Sequence, residues 1–169
     1  LKDYPKALEK FDWVIQNHPQ HLIVKRAYLG IEEGYRQLGR IDQSVKAMRD
    51  FVGRFPNDEV RYEGYLRLGL LLLSQKKFGD AISALSVAIQ SAEEGVASQA
   101  QLKLGEAHLE AGDKDQALLQ FSRVLYLYPQ RAEVMEEALL KLGTLYLDEK
   151  KFTEAKQVYQ KLLAKTKRE

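Results

Sequence analysis

Cysteine is absent from this chain, which excludes disulfides, thiolate metal sites and cysteine nucleophiles while leaving the compartment open. An excess of one charge is missing as well. The 26 Lys and Arg against 24 Asp and Glu leave a formal net charge of +2, so neither a nucleic acid nor an acidic partner is demanded. Long apolar runs are lacking: the densest, Leu66 to Leu73, is broken by Arg67 and falls short of the roughly 20 residues of a membrane helix, so no membrane insertion is expected. Residues 1–20 have no charged start, apolar middle and small-residue cleavage site, and the first residue is not Met. No secretory signal is therefore expected, and the chain is expected to be a piece of a longer protein. Proline is scarce at four, yet 45% of residues are apolar and 30% charged, a composition that excludes disorder. The 169 residues suit one domain.

What the chain does contain is repetition. Small residues at Ala7, Ser44, Ala81, Ala117 and Ala155 follow one another at steps of 37, 37, 36 and 38 residues. Four positions after each stands a large apolar residue (Phe11, Met48, Leu85, Phe121, Tyr159), and three further on come Val14, Phe51, Ala88, Val124 and Leu162. That spacing marks one face of a helix. Pro19, Pro56 and Pro129 stand twelve positions after their small residues, and proline stops a helix because it lacks the amide donor and restricts its predecessor. The third unit has Glu93 there instead, and Gly95 is the expected stop.

A second helical pattern precedes each small residue, with Gly69, Gly105 and Gly143 in step. A glycine inside a helix costs about 1 kcal/mol relative to alanine, so a recurring one marks a close helix approach. In the second unit Glu32 occupies that register and Gly30 lies two positions away, which predicts looser packing. Short polar turns at 38–40, 75–77, 111–113 and 149–151 allow only antiparallel hairpins. The pattern predicts helices over 4–17, 21–38, 41–55, 58–75, 78–92, 95–111, 114–128, 132–149 and 152–166.

These residues carry a family resemblance. Leu-Gly, a tyrosine three later, then Ala, an aromatic residue and a closing Pro resemble the tetratricopeptide repeat, seen as Tyr35, Ser44, Phe51 and Pro56 in the second unit and Gly143, Tyr146, Ala155 and Tyr159 in the fifth. The match covers nearly the whole chain. It departs from the family in its longer period and in His108, which stands at the tyrosine position of the fourth unit. The added residues fall between Pro and the next helix and predict a lengthened first helix. The resemblance implies an all-α solenoid of antiparallel helix pairs in a right-handed superhelix, one domain over 1–169, divided into a half repeat at 4–20 and repeats at 21–57, 58–94, 95–130 and 131–169. Stretched repeats ending in Tyr-Pro or Phe-Pro resemble the bacterial envelope subgroup, which implies a periplasmic or envelope location.

Chemistry is sparse. His18, His21 and His108 are the only histidines. Two in one turn without a third ligand suit turn polarity better than a metal site, and His108 suits a helix interface. The pairs Glu32-Glu33, Glu93-Glu94 and Glu136-Glu137 point about 100° apart on a helix and read as solvated faces. With no phosphate loop, nucleophile elbow or HExxH, no catalytic residue, metal, cofactor or enzyme activity is expected.

The first helices carry aligned rows: Leu29, Leu66, Leu102 and Leu140; Glu33, Leu70, Glu106 and Thr144; Arg36, Leu73, Leu109 and Leu147. By resemblance these rows face a concave groove where a protein or peptide partner lies. The leucines equally fit packing of repeat on repeat. An apolar groove would suit an amphipathic helix or apolar peptide rather than a charged tail. Arg67, Lys103 and Lys141 form a further row, which could hold a polyanion or cover apolar surface while paired with acids. Some relatives clamp a terminal carboxylate with such cations and asparagines, but neither row here holds an asparagine. The row also lacks interleaved aromatics, so nucleic acid is not expected as a partner. The expected function is a non-catalytic interaction scaffold whose partner the sequence does not specify. The alternative is a self-associating module, a homodimer through the first helix and its apolar Leu8, Phe11, Val14 and Ile15.

Overall fold

The computed structural model describes residues 3–166, so the extreme ends of the expected domain lie outside it. Among the described residues there are nine α-helices and no strand: α1 (Tyr4–Asn17), α2 (Ile23–Gln37), α3 (Ile41–Arg54), α4 (Val60–Ser74), α5 (Phe78–Ala88), α6 (Glu94–Glu110), α7 (Lys114–Leu127), α8 (Ala132–Asp148) and α9 (Phe152–Thr166). Asp3 and Asp113 start α1 and α7 by accepting hydrogen bonds from the backbone N–H groups of Lys6 and Gln116. The residues before the three prolines, His18, Phe55 and Tyr128, cap α1, α3 and α7 with φ of −129°, −119° and −127° and ψ of 49°, 52° and 51°, outside the helical region that proline disfavours for its predecessor.

Four hairpins follow α1: α2 with α3, α4 with α5, α6 with α7, and α8 with α9. Each first helix ends in the same left-handed cap, at Gly39 (φ 71°), Lys76 (58°), Gly112 (86°) and Lys150 (59°). The residue after each donates its N–H back to Tyr35, Leu72, His108 or Tyr146, at 2.8 to 2.9 Å, so orphan carbonyls are satisfied and the chain reverses within three residues. The recurring small residues Ser44, Ala81, Ala117 and Ala155 are at most 1% exposed. A Cβ built on Gly69, Gly105 or Gly143 would lie 2.5 to 2.6 Å from Leu85, Phe121 or Tyr159 respectively. The glycine register therefore marks a contact between the two helices of a hairpin, sixteen positions apart in sequence.

Two expectations are corrected. Helix α5 stops at Ala88, and Gly95 lies inside α6 rather than ending the helix before it; Ser91 accepts the N–H of Glu93 in the intervening turn. Lengthening of the first helix holds for α6 and α8, at 17 residues each, whereas α2 and α4 have 15. Before α2 and α4 the extra residues form the turns around Pro19 and Pro56 instead. The pairing of α2 with α3 is indeed less extensive than in the other hairpins, and the displaced glycines explain why. Gly30 and Gly34 serve α1: a Cβ on either would lie 2.5 Å from Phe11 or 2.9 Å from Leu8. Helix α1 thus packs onto α2 about as closely as the helices within a hairpin do.

Backbone contacts link α4 with α6 and α6 with α8, whereas the backbones of α3, α5, α7 and α9 do not meet one another. The first helices therefore form the crowded inner layer and the second helices the spread outer one, which makes the face of α2, α4, α6 and α8 the concave side. Helices α2 and α4 are an exception in that layer, since their backbones do not meet.

Candidate peptide-binding cleft

Where α2 and α4 stand apart, the inner face opens into a cleft of about 790 Å³. Ile41, Leu66, Leu70 and Leu71 provide apolar lining; Glu32, Arg36, Glu63, Arg67 and Ser74 come from α2 and α4; Glu93, Gly95, Val96, Gln99 and Arg131 border it at the starts of α6 and α8. Leu70 is 39% exposed. Nothing in the fold requires leucine there, because the aligned positions hold Glu33, Glu106 and Thr144.

The other leucine rows separate according to what covers them. Leu66 and Leu102 are 6% and 2% exposed, Leu66 at the cleft floor and Leu102 in the core with Phe121, Val134 and Ala138. The aligned Leu140 is 49% exposed. Leu66 and Leu102 lie on helices that the next first helix packs against, whereas no described first helix follows α8. The same gradient runs through Leu73 and Leu109, half-buried against the core, to Leu147, which is exposed. Leu29 is half-buried against the core around α4. Thr144 donates its hydroxyl to the Leu140 carbonyl at 3.0 Å and lies outside the cleft, as do Leu140 and Leu147.

The cations are paired. Arg67 Nη1 reaches Glu32 at 3.0 Å, and its Nε and Nη2 donate to Glu63 at 3.0 and 2.9 Å. Glu32, with a side chain 3% exposed, is also approached by Arg36 Nε at 3.4 Å, while Arg36 bonds Glu33. Burial alone would lower the Arg67 pKa, but Glu63 and Glu32 outweigh it and hold the guanidinium above its ordinary value. Further along, Lys103 contacts Glu106 at 3.1 Å and Glu137 at 3.2 Å, and Lys141 reaches Glu106 at 3.3 Å. Burial would lower Lys103 too, yet these carboxylates raise it. Burial pushes Glu137 up, and the charge and hydrogen bond of Lys103 overcome this to leave it below its ordinary value.

Sequence reasoning brought Arg36, Leu66, Arg67 and Leu70 to the cleft. It missed Glu32, Glu63, Ile41, Val96 and Arg131. The pairing of Glu63 with Arg67 was readable as an i,i+4 pair, and Glu32 was visible as a carboxylate at a register meant for glycine. The histidines do what turns and interfaces need: His18 packs edge-on to Trp13, His21 Nδ1 accepts the N–H of Ile23, and His108 stands 3.7 Å from Asp113 at the end of α6. Among the described residues no cluster of potential metal ligands occurs, and no helix is long and apolar enough to cross a membrane.

A stack of hairpins with an open inner cleft and buried small-residue contacts defines an α-helical repeat protein of the interaction-scaffold class. Two family models described as tetratricopeptide repeat match it, one over residues 33–95 and 66–132 and the other over 137–165. The chain belongs to the tetratricopeptide repeat family. Among solved structures it is similar to MamA, at 22% identity and TM-score 0.78 over 98% of this chain and 90% of that one. It is also similar to BtubC (BKLC) from P. vanneervenii, at 14% identity and TM-score 0.80 over 96% and 73%. A kinesin light chain from Podosopora anserina with nearly identical TPR-like repeats aligns at 15% identity and TM-score 0.75 over 98% and 89%. None of the curated proteins matches.

Proposed function

We propose that this chain is a non-catalytic scaffold that holds a segment of a partner protein in the cleft walled by α2, α4 and α6. The observation that carries this reading is Leu70, an apolar side chain 39% exposed within a concave cleft at a register where the fold accepts Glu or Thr. An apolar anchor that becomes shielded from water on binding supplies a large share of the energy of a peptide interface. Leu70→Glu should keep the helical content and lose the partner in quantitative capture from the native source. Capture of the same proteins at the same yield by the folded variant would defeat the reading.

Self-association is a second reading with its own observation. Ala7, Phe11 and Val14 of α1 are half-exposed, whereas four of the aligned residues, Met48, Phe51, Phe121 and Val124, are fully buried. Trp13 nearby is 55% exposed. A dimer built on this edge would cover them. The mass in solution tests this: a dimer that Phe11→Ser or Trp13→Ser dissociates supports it, and a monomer at high concentration removes it.

A further inference from the structure

The chemistry of the bound segment follows from the charges of the cleft, and rests on the cleft being the binding site. Three acids, Glu32, Glu63 and Glu93, and three bases, Arg36, Arg67 and Arg131, line it, so their formal charges cancel. Four of the six are committed to one another. Glu32 is 2% exposed and among the described residues has only Arg67 and Arg36 to balance it. An acidic segment that drew either arginine away would strip a buried carboxylate of its counter-charge, which costs more than a rim contact returns. A basic segment meets the converse obstacle, because taking Glu63 leaves the partly buried Arg67 short of a partner.

Glu93 and Arg131 make no ion pair among the described residues and together offer no net sign. A Cβ on Gly95 would lie 3.4 Å from Arg131 Nη2 and 3.5 Å from Glu93 Oε1, so opposite charges flank one point on the rim. The next stretch of the inner face is closed in the same manner, by the pairing of Lys103, Glu106, Glu137 and Lys141. Apart from Glu93, Gln99 and Arg131 on its rim, what the cleft presents without a prior partner is apolar: Leu70, with Leu66, Ile41 and Val96 also in the lining.

We propose that the cleft recognises an uncharged, apolar stretch of a partner chain seated on Leu70, and not an acidic or basic tail. The probe is a random 12-residue peptide library displayed on phage and selected on the whole chain. The enriched peptides, made synthetically, should cluster apolar residues and carry a net charge near zero. Their affinity should change by less than about twofold between roughly 0.05 and 0.5 M salt, because no exposed charge pair forms on binding. It should fall by about tenfold or more with Leu70→Glu, and likewise with Gln99→Trp, as expected when a central apolar anchor is lost or its site is filled. Gln99 is exposed on the rim, so that variant reads out the cleft even if Leu70→Glu fails to fold. Charged peptides whose binding collapses with salt but still depends on Leu70 or Gln99 would overturn the inferred chemistry and leave the cleft standing. Peptides indifferent to both substitutions, or no enrichment over blank support, would overturn the inference together with the cleft.

Discussion

The left-handed caps supply a test in which the same change should have opposite effects at aligned positions. Gly39, Lys76, Gly112 and Lys150 occupy one register with φ between 58° and 86°. An L-residue in this region costs about 1 to 2 kcal/mol, while glycine loses about 0.5 to 1 kcal/mol more backbone entropy on folding. Lys76→Gly and Lys150→Gly should each stabilise the fold by about 0.5 to 1 kcal/mol. Both lysines are exposed and neither makes an ion pair among the described residues, so little is lost with the side chain. The two turns belong to separate hairpins and their effects should add, to about 1 to 2 kcal/mol. For a chain of this size that raises the melting temperature by roughly 2 to 8 °C. The reverse change, Gly112→Ala, should lower it by about half as much. Differential scanning calorimetry on the four variants decides the matter: a double variant that melts at or below the wild type would refute the argument that these caps are strained.

Other substitutions probe the packing and the charges. Gly105→Leu should destabilise by about 1 to 3 kcal/mol through overpacking against the fully buried Phe121, whereas Gly53→Ala, with nothing within 4 Å of the added carbon, should be neutral or slightly stabilising in chemical denaturation. Leu102→Ala should cost about 2 to 5 kcal/mol and the aligned Leu140→Ala less than about 0.5 kcal/mol; equal losses would mean that the burial gradient along the row is wrong. The pH dependence follows from the lysine ladder. Glu137 is depressed below its ordinary 4.5, so its contribution is present above that value and lost as pH falls through the folded pKa. Lys103 is raised above 10.5, so its contribution is present below that value and lost as pH rises through the folded pKa. Urea midpoints against pH should therefore fall at both ends, and Glu137→Gln should flatten the acid limb; an unchanged acid limb would show that the pair contributes nothing.

The fold was legible because it is periodic. One register of small residues, one of glycines and three prolines suffice to place hairpins, since each hairpin obeys the same local geometry. What escaped the sequence depends on neighbours that periodicity does not encode. Leu102 and Leu140 are indistinguishable by register, yet one is core and the other exposed, because only one lies on a helix that the next first helix packs against. Gly30 looked like a displaced copy of Gly69, but it accommodates Phe11 of α1 instead. The early end of α5 left no proline to announce it. The cleft was half legible: Leu70 stood out against its polar counterparts, while the tie between Arg67 and Glu32 joins residues 35 positions apart, which no local pattern displays.

The claim that a partner segment occupies the inner cleft is tested most directly by photo-crosslinking in cells of the native source. A photoreactive amino acid would replace Ser74, which lines the cleft, or Tyr126, which is 85% exposed beside a hollow between α7 and α9. The account predicts that position 74 yields a discrete covalent adduct that Leu70→Glu abolishes, and that position 126 yields none. An adduct from position 126 with none from position 74 would contradict it and move recognition to the outer face.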